Sequence, residues 1–400
     1  MSWNRGPPTQ LRKEALRNWI HDLYDFGVFE PLRFDKSNKG DSFAFGSVIG
    51  LFATAAAEKR SLYQASFAAE WDTDPQLVPN GETVRSTINE KNIEIIYRQF
   101  KDSYLQLLHY LSTNYPDGKP RPAAIDDTVV PAADENEWTD EYSTGYREPS
   151  LKNVDYVHKY TLGGFIGDNN RIVFGVHPKK TDEYAGGELI HRVMRPPVFN
   201  SEHDISTVVA DRGFVGAPQI DAFRAVAKPN FLILAKQQHE PGLLTHLTPM
   251  DTDGGTLWAL ETYLNKLKSK PNLYVIDRHP NERSSPQRKQ RAYLTDMDID
   301  HINPYQIKLR YRQRRRIEET IREIKYEFAI PTNNASPELA FYLFSISTLF
   351  YNLSNIINNY SSPKYDIPLG VMYNKQSNIV AADVLKAIQD VAFLRAKQDD

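Results

Sequence analysis

The ten residues AAIDDTVVPA, 123–132, mark a change of period in the chain. Before them, apolar residues recur every three or four positions, as on one face of a helix. From them onward, short apolar runs bounded by turn residues take over, which is the pattern of strands. Upstream, LRKEALRNWIHDLYDFG (11–27), SFAFGSVIGLFATAAAE (42–58) and NEKNIEIIYRQFKDSYLQLLHYL (89–111) predict an all-helical N-terminal domain over residues 1–118. Between the last two lies SLYQASFAAEWDTDPQLVPNGETVRSTIN (61–89): a short helix, a turn rich in Pro, Asp and Gly, and a second helix opening near Thr83. That outline fits a helix-turn-helix presenting Arg85, Ser86 and Asn89 to a groove, and fits a plain helical hairpin about as well.

Downstream of 132, a polar and acidic loop is expected to about residue 153. The strand-like runs YVHKYTLGGFIG (156–167) and RIVFGVHP (171–178) follow. Helical DEYAGGELIHRVM (182–194) then leads to strand ISTVVAD (205–211), helix GAPQIDAFRAV (216–226) and strand NFLILAK (230–236). Three strands, helix, strand, helix, strand is the order of a layered α/β sheet of the RNase H-like class, mixed and flanked by helices. This first part of the domain covers 119–236. Residues 237–305 are too many for a connector and read as an inserted subdomain, with a helix over 254–269, a strand NLYVID (272–277) and a basic loop RHPNERSSPQRKQRAY (278–293). A helix beginning near Tyr305 or Gln306 resumes the domain, which runs over 306–362. Residues 363–400 form a C-terminal extension ending in NIVAADVLKAIQDVAFLRAK (378–397).

Composition narrows the function. The 400 residues carry a formal charge of −3 and a pI near 6.4, so any nucleic-acid surface must be local rather than a uniform basic coat. There is no cysteine, which removes disulfides, zinc fingers and thiol catalysis. The stretch LAFYLFSISTLFYNLSNII (339–357) is nearly long enough to cross a bilayer, but Ser, Thr and Asn interrupt it throughout, and it is predicted to be a helix buried in a soluble core. No membrane partner is expected. The N-terminal residues lack the apolar run of a secretory signal, and a soluble intracellular protein is expected. No phosphate-binding loop, serine-hydrolase elbow or histidine pair at zinc spacing is present.

Acidic residues at strand ends are the ones to weigh in such a sheet. Asp126 lies within the first strand, and Asp211 ends STVVAD just before RGF, where Gly213 permits a sharp turn. The strands that carry them are neighbours in an RNase H-like sheet, so the two carboxylates should face each other. Carboxylates that close repel, and a divalent cation relieves the repulsion. Asp127 offers a second carboxylate beside Asp126, but alternation sends neighbours to opposite faces, and Asp126, after the apolar AAI, is the one assigned to the site. The run YRQRRRIEETIREIK (311–325) supplies the third acid, Glu318. On a helix, Tyr311, Arg314, Glu318 and Lys325 fall within an arc of about 60°. Ile317, Ile321, Ile324 and Phe328 form an apolar stripe roughly 80° away that would dock on the sheet. Glu319 and Glu323 project elsewhere and read as solvent-facing acids. Three carboxylates suit Mg²⁺ or Mn²⁺, and two such ions about 4 Å apart support in-line attack on phosphorus. Arg314 and Lys325 would pair with phosphates, and Tyr311 could donate a hydrogen bond to another. Arg315 and Arg322 in the same cationic run are further DNA-contact candidates.

These residues carry a resemblance. The chain resembles the DDE insertion-sequence transposases, whose signature Y-(2)-R-(3)-E-(6)-K is matched by Tyr311, Arg314, Glu318 and Lys325, while AIDDT (124–128) and VVADRGF (208–214) look like the two aspartate motifs of that family. The resemblance spans roughly residues 120–360. It implies that Asp126, Asp211 and Glu318 are the catalytic, metal-binding triad, that two Mg²⁺ or Mn²⁺ ions are the cofactor, and that Tyr311, Arg314 and Lys325 touch the DNA end. It implies cleavage of double-stranded DNA at terminal inverted repeats, commonly through hairpinned ends, and joining of the freed 3′-hydroxyl to target DNA by a homodimer. It also implies a mostly β insertion in which an aromatic stacks on a flipped base. Trp258 is the only tryptophan there, and its helical surroundings favour a packing role. The competing expectations are a domesticated transposase that binds DNA without cutting it and another RNase H-like nuclease, such as a junction resolvase.

Overall fold

The computed structural model describes residues 9–33, 44–115, 121–132, 141–145, 156–167, 171–180, 186–194, 205–226, 230–235, 248–252, 255–261, 271–277, 290–297, 304–331, 335–359, 361–362, 365–368 and 381–399. Five helices come first: α1 (Thr9–Asp25), α2 (Phe45–Glu58), α3 (Leu62–Asp72), α4 (Gly81–Asn89) and α5 (Ile93–Asn114). The starts of α3, α4 and α5 are written locally. Ser61 and Gln64 form a reciprocal capping box at α3, and the side chains of Asn80 and Asn92 accept from the backbone N–H of Glu82 and Glu94, each at 2.8 Å.

The α/β part contains β1 (Arg121–Ala132), β2 (Ser143–Gly145), β3 (Tyr156–Phe165), β4 (Val173–Lys179), α6 (Gly187–Met194), β5 (Ile205–Ala210), α7 (Ala217–Val226) and β6 (Phe231–Leu234). β1 pairs antiparallel with β3 and parallel with β5, and β5 pairs parallel with β6. This is the mixed sheet with flanking helices of an RNase H-like α/β fold. β2 is an addition to expectation: the acidic loop after β1 contains a three-residue strand that pairs with the start of β3. The residues of that loop outside 141–145 lie beyond the described ones.

Between β6 and the next helix come β7 (Thr248–Thr252), β8 (Gly255–Glu261), β9 (Asn272–Asp277) and β10 (Gln290–Thr295). They are not separate from the first sheet. β10 pairs antiparallel with β6, so ten strands form one sheet in the order β2-β3-β1-β5-β6-β10-β9-β8-β7, with β4 also on β3. The helix expected over 254–269 is corrected for 255–261, which is strand β8, paired on both edges, while residues 254 and 262–269 lie outside the described ones. Its leucines carry helical spacing and propensity, and two-sided strand pairing overrides both. Trp258 stands in β8 opposite Pro249 and Val275, and so the helical surroundings on which its packing role rested are absent. Most of the basic loop 278–293 lies outside the described residues.

The remaining elements are α8 (Pro304–Arg312), α9 (Arg315–Glu323), a π-helical turn (Ile324–Phe328), α10 (Pro337–Asn359), the short β11 (Ser361–Ser362) and β12 (Tyr365–Pro368), and α11 (Ala381–Asp399). The helix expected to begin near Tyr305 or Gln306 is not continuous. Instead, Arg314 N–H donates to Tyr311 and Ile317 N–H to Arg314, at 3.0 Å each, so a tight i→i−3 turn separates α8 from α9. α10 is long and apolar enough to cross a membrane, yet it is almost wholly buried in protein, packed on α5, β4 and α11. Buried Asn352 works there as a substitute strand: it accepts from Val173 N–H at 2.9 Å and donates to Val173 C=O at 2.7 Å.

Of the two outlines that fit residues 61–89, the structure bears on the helix-turn-helix. Residues 73–80 between α3 and α4 exceed the three- or four-residue turn of a helix-turn-helix. Asn89 is also unavailable to a groove, because its side chain accepts from Ser336 Oγ at 2.8 Å and α4 packs on α10. Arg85 lies 3.7 Å from Glu82, and Ser86 is exposed.

Candidate active site

Register places the first two acids. In the parallel ladder of β1 and β5, Ala124 stands opposite Val209 and Ile125 opposite Ala210. One step further, Asp126 and Asp211 leave the ladder side by side, where β5 ends. The apolar residues before them are fully buried and fix the register: Ala124, Ile125, Val209 and Ala210 are 0% exposed. The backbone of Asp211 caps the short 3₁₀ turn Arg212–Phe214, but its side chain makes no capping bond, which leaves the carboxylate available. That turn does not require glycine. Among the described residues only Gly27 is a glycine with positive φ, and a Cβ on Gly213 would meet nothing within 4 Å.

Alternation separates the adjacent aspartates. Asp127 faces the other side of the sheet, where it accepts from Thr161 Oγ1 at 2.6 Å and pairs with Lys179 Nζ at 3.1 Å. Asp126 faces α9. Ile317, Ile321, Ile324 and Phe328 are buried, as the apolar stripe predicts, and dock that helix against the sheet. Arg316 adds a tie not foreseen from the sequence, donating to the carbonyl of Ile166 just past β3 at 2.7 Å. Lys325 donates to the carbonyl of Val129 in β1. Nothing in the run of arginines distinguishes Arg316 from its neighbours, so its role depends on the tertiary fold.

The docking brings Asp126, Asp211, Tyr311, Arg314 and Glu318 together. Arg314 sends one guanidinium nitrogen to Asp126 at 3.0 Å and the other to Glu318. Tyr311 is 8% exposed, its hydroxyl lies 3.5 Å from Asp211, and its ring lies edge-on to Tyr293 and 5.9 Å from the Arg314 guanidinium. Arg315 and Arg322 are exposed on α9, one turn before and after Glu318. Glu319 and Glu323 are not simple solvent-facing acids, because Arg171 pairs with both, at 3.2 and 3.8 Å. Burial also pushes the Glu323 carboxyl up.

The charge balance of the cluster is incomplete. Burial pushes the Asp126 carboxyl up to about 7, Arg314 and the Asp127 N–H pull it down, and Glu318 and Asp211 push it up again. Burial likewise raises the Tyr311 hydroxyl, with Asp211 adding to the effect. For Arg314, burial works against the charged form, but Tyr311, Asp126, Asp211 and Glu318 outweigh it and raise its pKa. Three carboxylates therefore lie around one guanidinium, and burial, with Glu318 and Asp211 adding to it, favours the neutral form of Asp126. The oxygen-only donor set and the unrelieved repulsion fit a hard divalent cation. As the side chains stand, no group of three or more acidic or histidine side chains among the described residues is gathered closely enough to hold one, and Arg314 lies between two of the acids.

Comparison with known proteins follows the same lines. No curated protein sequence matches the chain. Among solved structures, the fold is similar to that of a piggyBac transposase in a synaptic complex with hairpin DNA, with a TM-score of 0.53 over 99% of this chain and 84% of that one. At 12% sequence identity, that likeness speaks for the fold alone. The sequence profile described as the transposase DDE domain matches residues 117–353, well over half of the chain and the whole of the acidic cluster, and the chain belongs to that family.

Proposed function

We propose that the chain is a DNA transposase that cuts transposon ends and joins the released 3′-hydroxyl to target DNA, with Asp126, Asp211 and Glu318 as the catalytic, metal-binding carboxylates. The observation that carries this reading is the register of β1 and β5, which sets Asp126 beside Asp211 on the face where α9 brings Glu318. Two bound Mg²⁺ or Mn²⁺ ions would activate the attacking oxygen and stabilise the departing one. The protein's own part is positional. The sheet fixes two carboxylates on rigid backbone, α9 fixes the third through its buried isoleucines, and Tyr311 and Arg314 set the polar wall beside them. Arg314, Lys325, Arg315 and Arg322 supply positive charge for the DNA backbone along α9 and the following turn. Double-stranded DNA with terminal inverted repeats is the substrate and target DNA the acceptor. A homodimer would hold two ends for concerted joining. A prokaryotic cytoplasm, at the nucleoid, is the proposed location.

The test is cleavage of linear DNA carrying the inverted repeats that flank the gene, with Mg²⁺ supplied. Asp211→Asn should abolish cutting and leave duplex binding largely intact, because it removes a metal ligand and no phosphate contact. Equal cutting by wild type and Glu318→Ala would end the assignment.

A further inference from the structure

We infer that Arg314 is a built-in counter-ion that competes with divalent cations for the acid cluster, and that the phosphates of bound DNA draw it away. The inference rests on the metal-site reading given above and deepens it. Its basis is the path of one side chain. The two terminal nitrogens of Arg314 are divided between Asp126, in the middle of β1, and Glu318, on α9, so a single guanidinium ties two elements across the site. Only 16% of the side chain is exposed, and the Tyr311 ring lies beside it, so this is not a surface arginine making a passing contact.

Oxygens that share a Mg²⁺ lie no more than about 4.2 Å apart, twice the metal–oxygen distance. A guanidinium between Asp126 and Glu318 occupies the space an ion would need, so both cannot be there together. The side chain has somewhere to go. Arg314 stands in the tight turn between α8 and α9, where a change of side-chain direction disturbs no regular helix. A phosphodiester offers the same forked acceptor as the carboxylates it would leave, and a charge-assisted pair is exchanged for another of its kind. Metal affinity should therefore be low without DNA and rise with it, and by reciprocity the metal should strengthen the hold on DNA.

Titration calorimetry of the full chain with Mn²⁺, in the absence of DNA, tests the competition. Arg314→Gln should bind Mn²⁺ at least about tenfold more tightly than wild type, because a positive charge a few ångströms away has gone. Arg314→Lys, which keeps the charge and guards against misfolding but cannot fork to both carboxylates, should fall between them. Asp211→Asn should bind more weakly than wild type. If Arg314→Gln binds no more tightly than wild type while Asp211→Asn loses affinity, the metal site stands and the counter-ion inference is overturned. If neither wild type nor Arg314→Gln binds Mn²⁺, the metal reading itself fails and takes the inference with it. The phosphate half is tested with a random-sequence duplex in metal-free buffer. Asp126→Asn should tighten binding and steepen its salt dependence, and the gain should vanish with Arg314→Gln in the same chain. A gain that survives there overturns that half.

Discussion

Asp126 and Asp127 are adjacent in β1 and live in different surroundings, and the difference can be read from the alternation of a strand. Asp127 has Thr161 and Lys179 as partners and is half-exposed, so it serves the opposite face of the sheet. Asp127→Asn should therefore retain DNA cleavage and cost less than about 1 kcal/mol in urea denaturation, as partly screened ion pairs do. Asp126→Asn should lose cleavage. Asp126 also responds to pH. With its carboxyl pushed up to about 7 from the ordinary 3.8, Asp126 takes up a proton more readily in the folded chain than in the unfolded one. Its contribution to stability is thus fully present below 3.8 and is lost as the pH rises through about 7. Metal-free protein should gain stability from this group between pH 8 and pH 6, and Asp126→Asn should remove that part of the profile in thermal melts. Alternation and the expected strand order set Asp126 and Asp211 side by side on reading the sequence, and the β1–β5 ladder has them leave it together. The fork of Arg314 was not legible, because an arginine drawn as a phosphate contact and one bridging two acids look alike until the distances are known.

At the scale of elements, α9 makes the same point. Its apolar stripe was visible as Ile317, Ile321, Ile324 and Phe328, and all four are buried. The break before it was not visible. Residues 311–316 contain no proline, glycine or capping side chain to signal an end, and at the break Tyr311 is held against Tyr293 and Arg314 by the acids. The strand β8 was missed for a related reason, since pairing with β7 and β9 decides its conformation and neither neighbour is local in pattern. If the stripe on α9 is what presents Glu318, shortening it should harm stability and chemistry together. Ile317→Ala, at a site 1% exposed, should cost about 2–4 kcal/mol in urea denaturation and reduce cleavage even where the protein remains folded. Glu319→Ala, which loses only a surface pair with Arg171, should cost less than about 1 kcal/mol and leave cleavage unchanged.

For the whole molecule, the contact that sequence reading could not anticipate is the one that joins the two ends of the chain. α11, read as an extension, packs on α2 and α1. Arg17 pairs with Asp390, Arg395 with Asp25 and Lys386 with Asp72, each across more than 300 residues of sequence. The helices approach so closely that a Cβ on Gly46 would overlap the carbonyl oxygen of Ala392, and one on Gly50 would press into the ring of Phe393 at 2.9 Å. Two helices at such a distance need small residues at the crossing, and a glycine inside a helix has a propensity cost of roughly 1 kcal/mol relative to alanine, with less at stake for Gly46 in the first turn of α2. The two effects oppose each other in Gly46→Ala, which gives the substitution a decisive sign. An isolated helix would gain from alanine, whereas α2 docked on α11 must move backbone against backbone, an overpacking cost of about 1–3 kcal/mol. Net destabilisation of Gly46→Ala in denaturant would show that the crossing outweighs propensity. Loss of stability without loss of cleavage per folded molecule would place this contact in the framework that carries the acids rather than in the chemistry. A stabilised Gly46→Ala would mean that the ends of the chain are not held together at this distance.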